Sequence, residues 1–207
     1  MRSNRILSSC CLMILLSIAL LGCATEPPRV PLVYEYPNAT RQMAKSIENA
    51  ITVEDQRTDK DLDKYLISSV PDSIKNVLSR ELSAIVPIEG STPGSTVGNP
   101  LPPVQIHVKL QETTVEVANR GSKKAAVFFV GVGAGDADVV GEIKMAVHVH
   151  NVQSGADWEE TWEGASTTRI PAVYMDSSQM FAKALGGAVK DAMSHLPGAL
   201  SRVGIEF

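Results

Sequence analysis

Beyond residue 23 the chain has no cysteine: the three it carries are Cys10, Cys11 and Cys23. A disulfide, a thiolate metal site or a cysteine nucleophile is therefore excluded downstream of that point. Basic residues are also in short supply, with 19 Lys and Arg against 23 Asp and Glu. That balance argues against nucleic acid as a partner, because nucleic acid requires a basic face. Long apolar runs are missing except for one, Ile6 to Leu21, which is broken only by Ser8, Ser9 and Ser17. It is marginal for a spanning helix, which needs about 20 residues.

What stands around that run is informative. Arg2 and Arg5 precede it and Leu20-Leu21-Gly22-Cys23 closes it. This order reads as a secretory signal peptide, residues 1–22, ending in a bacterial lipobox. On this reading Cys23 becomes the new N-terminus and its thiol and amine are acylated; the alternatives are a cleaved leader with a chance cysteine, or an uncleaved anchor. Each buried methylene contributes about 0.8 kcal/mol, so several acyl chains on Cys23 hold the chain to a leaflet. Ala24, not Asp, follows the cysteine, which points to the outer membrane and its periplasmic face. Loss of Arg2 and Arg5 takes the net charge from −4 to −6. The remainder suffices for one domain with a real core.

Residues 23–45 carry Pro27, Pro28, Pro31 and Pro37, a density that favours an extended, semi-rigid tether. Within it Val30, Leu32, Tyr34 and Tyr36 alternate, a pattern that also suits a sheet edge. The single domain then spans 46–207. Ser46 to Arg57 reads as its first strand. Pro71 and Asp72 suit the first turn of a helix whose stripe is Ile74, Val77, Leu78, Leu82 and Ile85, ended by Pro87. Gly and Pro punctuate Ile88 to Pro103 as a loop.

Val104, Ile106, Val108 and Leu110 alternate with polar residues, and the change of phase to Val115 and Val117 predicts a bulge or turn near Thr113. Val139 to Val149 forms a second such strand, Ser154-Gly155 a turn, and Trp158 to Gly164 a returning strand. A last helix, capped by Asp176 or Ser177, runs through Met180, Ala184, Ala188 and Ala192 to Pro197. These elements predict an α+β domain, an antiparallel sheet of about four strands with two helices packed on one face. The other face is left to solvent or a partner.

The lipobox, this order of elements and the segment Asp55-Gln56-Arg57-Thr58-Asp59 resemble the YajG-like family of small Gram-negative lipoproteins. The resemblance covers most of the mature chain, and its distinctive part is that five-residue segment. It implies a sheet-and-two-helix domain similar to those of lipoprotein activators of cell-wall synthases, and it implies no enzymatic activity.

Asp55 and Arg57 share a strand face, with Asp59 within reach. They read as a polar contact patch for a partner, or as a charge-assisted bridge that fixes the strand-to-helix loop. Phe128 and Phe129 lie in an apolar run that enters Gly131, Gly133 and Gly135; the alternatives are a buried strand entering a bend and an exposed apolar tip. No Gly-Lys-Ser or Gly-Lys-Thr follows, so this is not a phosphate loop. Trp158 and Trp162 share a face and suit either a sugar or acyl ligand or the core.

His148 and His150 share another face, but only Glu142 and His107 offer to complete a metal site, so neither metal nor cofactor is expected. Glu159 and Glu160 point to opposite faces of a strand and cannot flank one glycosidic bond. The expectation is a non-catalytic lipoprotein that binds another envelope protein as an accessory factor. The alternative is a carrier or chaperone for a lipid or cell-wall fragment, which an apolar cavity between helices and sheet would favour.

Replacing the lipobox cysteine, Cys23→Ser, is expected to abolish incorporation of labelled palmitate and to move the chain from the membrane to the soluble fraction. Label retained by the variant would place the acyl chain elsewhere.

Overall fold

The computed structural model describes residues 28–36, 49–85, 104–118, 136–171 and 176–205. Four strands form one sheet in the order β1 (Ile51–Asp55), β2 (Val104–Ala118), β3 (Asp136–Asn151) and β4 (Asp157–Pro171). Helices α1 (Val70–Ile85) and α2 (Ser177–Met193) pack on one face, with a short α3 (Leu196–Arg202) after them. The α+β class and the one-sided helical layer agree with the periodicity of the sequence.

One feature of the sheet departs from the expected antiparallel pattern. β1 pairs with β2 in parallel, Ile51 opposite Ile106 and Asp55 opposite Leu110, so the sheet is mixed. The reason is the connection: parallel neighbours need a crossover, and α1 provides one by packing back on the sheet between the two strands. β2, β3 and β4 are antiparallel. A register shift between Leu110 and Glu112 is the bulge implied by the change of phase. It returns Thr113 and Val117 to the buried face.

The helix ends follow their local chemistry. Ser69 Oγ accepts from the Asp72 amide at 3.3 Å and donates to Asp72 Oδ2 at 2.6 Å, which caps α1 just before Pro71. Asp176 accepts from the Gln179 amide and caps α2. The last helix stops earlier than the stripe predicts. Ser194 and His195 donate to Asp191 and Ala192, three residues back, which tightens the chain; Pro197 then sits in the first turn of α3, where no amide is needed.

The helical layer lies close against the strands because the contact residues are small. A Cβ added at Gly141 would sit 2.5 Å from the Ala184 carbonyl oxygen, and one at Gly164 would collide with the Ala188 carbonyl and with Ala192. Trp162, Met145, Leu185, Ile74 and Leu82 fill the rest of the interior, none more than 1% exposed.

Residues 30–36 take an extended course with the predicted alternation, Val30, Leu32, Tyr34 and Tyr36 turned inward and Pro31, Val33 and Glu35 outward. They are neither a free spacer nor a strand on the sheet edge. Val30 exchanges backbone bonds with Tyr65 and Ile67 of the segment before α1, Val33 N donates to Ala182 O, and Tyr34 Oη donates to Glu81 Oε1 at 2.8 Å. Tyr36 lies under the Arg80 guanidinium and Glu35 pairs with Lys190. This strap ties α1 to α2, with Val30, Leu32 and Tyr34 packed against the core. Gly186 is what allows it, since any Cβ there would occupy the position of the Val33 carbonyl. Burial and the bond to Glu81 push the Tyr34 phenol up, so it remains a donor.

Gly164→Ala is expected to cost about 1–3 kcal/mol through overpacking against α2. Gly198→Ala, which meets nothing within 4 Å, should gain about 0.4–1 kcal/mol from a less flexible unfolded chain. Urea unfolding of both variants checks the contrast.

Candidate functional site

The Asp55, Arg57 and Asp59 group resolves into a structural hub. The Arg57 side chain is 1% exposed. Its Nε donates to Asp55 Oδ1 at 2.8 Å and its Nη2 to Asp55 Oδ2 at 3.1 Å, a two-pronged pairing across a turn. Nη2 also reaches both oxygens of Asp63, at 3.2 and 3.0 Å, and Nη1 donates to Thr113 Oγ1 at 3.1 Å. Asp63 Oδ1 in turn accepts the Val70 amide at 2.9 Å. One guanidinium therefore joins the end of β1, the 3-10 turn Asp61–Tyr65, the start of α1 and the bulged stretch of β2.

Asp59 is not part of it: exposed, it accepts the Asp61 amide at 2.8 Å. Asp63 takes the place expected for Asp59, because the turn brings residue 63 rather than 59 back over the strand end. Burial alone would lower the Arg57 pKa, but the two carboxylates more than offset it and raise it. The hydrogen bond from Arg57 holds the Asp55 carboxyl well below the usual carboxylate range.

Trp162 is fully buried, in the core beneath α2, and stacks 6.1 Å from the His195 ring. It offers no surface to a partner or ligand. Trp158 is half-buried beside it, with the Arg202 guanidinium 4.7 Å over its ring. Cys23, Phe128, Phe129 and the Gly131–Gly135 run lie outside the described residues.

The face of the sheet away from the helices is polar apart from Val140, Ala146 and Ala165, and its most defined feature joins three histidines. His107 stands directly opposite His148, and His148 opposite Glu159. His148 Nε2 and His150 Nδ1 each lie 2.9 Å from Asp157 Oδ1, while His107 Nε2 is 3.5 Å from Glu54. A depression of about 520 Å³ is lined by Thr52, Gln105, His107, His148, His150 and Asp157. Among the described residues no three of His, Cys, Asp and Glu converge as metal ligands. Asp157 engages both imidazoles, and its hydrogen bond to His150 depresses its carboxyl.

Periodicity located these residues on one face. It had no means of showing that β2, β3 and β4 align them in register, and Asp157 was not singled out.

A second depression, about 380 Å³, is lined by Glu112, Glu142, Lys144, Glu163 and Asp191. Lys144 donates to Glu163 at 2.6 Å and lowers its carboxyl. A general acid for glycoside cleavage needs the opposite shift. Glu159 faces outward beside His148, whereas Glu160 lies on the helical side between the tryptophans, as strand alternation requires.

No helix among the described residues is long and apolar enough to cross a membrane. No family model matches this chain, and no curated protein does either. A solved structure from Caulobacter crescentus, provisionally assigned as a lipoprotein, aligns with 74% of this chain and 93% of its own at 10% identity and a TM-score of 0.29. That likeness is too loose to carry an argument, and the YajG-like resemblance rests on the 55–59 segment itself.

Exchanging both acidic partners of Arg57, Asp55→Asn with Asp63→Asn, leaves a buried unpaired guanidinium and is expected to cost about 3–5 kcal/mol. Asp59→Ala should stay within about 0.5 kcal/mol. The Asp55 pKa is depressed by folding, so its contribution is complete above its unfolded value, about 4. It is lost as pH falls through the lower folded value. The stability advantage of the wild type over Asp55→Asn is therefore expected to hold at neutral pH and to shrink only in strong acid, as chemical unfolding across pH would show.

Proposed function

We infer that this chain is a lipid-anchored, non-catalytic accessory protein of the outer membrane, facing the periplasm, which binds another envelope protein through the open face of its sheet. The observation that carries this reading is the contrast between the two faces. On the helical side, Gly141 and Gly164 bring the strands against the backbone of α2. A carrier would need room for an acyl chain or glycan between these layers, and the small-residue contact removes it there. On the other side, four strands present a polar surface with a histidine-lined depression at its centre. Imidazole, carboxylate and amide groups held at fixed strand spacing suit hydrogen bonding to a protein surface.

The depressed carboxyls of Glu163 and Asp157 are not set up to give a proton as a general acid would. The anchor on Cys23 and the YajG-like segment support the envelope setting.

Photoreactive residues at Gln105 and Glu159, on the open face, and at Ser201, on α3, test this in intact cells. The expected outcome is one discrete protein adduct shared by the first two positions and missing from the third. Lipid or glycan adducts without a protein would overturn it in favour of the carrier.

A further inference from the structure

The strap determines which end of the domain faces the anchor. Only four residues separate Cys23 from Pro28, where the described chain begins. Fully extended, the five steps from Cys23 to Pro28 reach roughly 17 Å. Two residues later the chain is already fixed: Val30 N donates to Tyr65 O at 3.0 Å, and Ile67 N donates to Val30 O at 3.0 Å.

Tyr65 packs edge-on against Phe181 in the first turn of α2, and the neighbouring Met180 packs with Val117 and Val139. The anchor therefore leaves from the end of the domain where β2 finishes and β3 begins. The opposite end, the β3–β4 turn with Val152, lies thirteen residues along the sheet from Val139, roughly 40 Å away.

At the anchored end stands the most exposed large apolar side chain among the described residues, Ile67 at 63%. Pro28, Pro31 and Val33 are exposed beside it along the outer side of the strap. In a freely diffusing protein a lone exposed isoleucine needs no explanation. Here a tether shorter than the domain holds it against a bilayer at high effective concentration.

We propose that Ile67, with Pro28, Pro31 and Val33, forms a membrane-contact surface that rests in the lipid headgroup layer. It fixes the domain upright, with the β3–β4 turn outermost. This rests on acylation of Cys23, as read above. The partner is the lipid surface itself; the charges nearby, Arg29, Lys60 and Lys64 with Asp59 and Asp61, nearly balance, so apolar contact and the short tether do the holding.

The near absence of cysteine supplies the test. The lipidated chain is reconstituted in vesicles of phosphatidylethanolamine and phosphatidylglycerol that contain a lipid with a nitroxide on its headgroup. A thiol-reactive fluorophore is placed on Ile67→Cys or on Val152→Cys. Quenching severalfold stronger at position 67 than at 152 is expected. It should be lost, with vesicle binding kept, when about 20 Gly and Ser residues are inserted after Thr25, a linker reaching roughly 25 Å on average and far more when extended.

Equal quenching at the two positions overturns the surface, whereas quenching at 67 that survives the insertion overturns only the part given to the short tether. The wild-type chain serves as the separate check on the anchor: uptake of fluorophore would reveal a free Cys23 thiol and overturn the acylation and this proposal together. An unlabelled wild type with an unquenched position 67 overturns the contact surface alone.

Discussion

The guanidinium of Arg57 is the point through which this fold is connected. It is buried between two carboxylates and a hydroxyl that come from three separate pieces of chain. Burying a charge is costly, and the cost is met only if the pairing geometry is good and the remaining donors are satisfied. Both conditions depend on other features. The bulge in β2 turns Thr113 inward, the 3-10 turn returns Asp63 over the end of β1, and Asp63 also receives the first amide of α1. Slipping β1 by one residue against β2 would point Arg57 to solvent and break all three. The hub therefore specifies register and the parallel crossover as much as it stabilises them.

A second constraint acts at the layer interface. Glycine and alanine at the contacts of α2 with β3 and β4 let the helix approach the strands at backbone distance. The gain is dense packing across the sheet. Two outer surfaces then differ in kind. The open sheet face is polar and organised by strand register around Asp157. The strap lies against both helices, and Ile67 is exposed beside its first residues.

These two surfaces lie on different sides of the domain. The strap also stabilises through position: Tyr34, Glu81 and Lys190 tie residues 34 and 35 to both helices.

Sequence alone determined the helix stripes, the cap of α2, the strand alternation and the bulge in β2. Each is a local signal, carried by residues within a few positions of one another. It also placed Asp55 and Arg57 together, and the structure joins them in an ion pair. The tertiary structure decided the rest. Whether β1 runs parallel depends on where α1 packs, and the choice of Asp63 over Asp59 depends on a turn. The meeting of His107 with His148 requires two strands in register, 41 positions apart in the chain. The destination of the strap was hidden for the same reason: an alternating segment shows that one side is buried, but only long-range packing chooses between a sheet edge and a pair of helices as the surface that buries it.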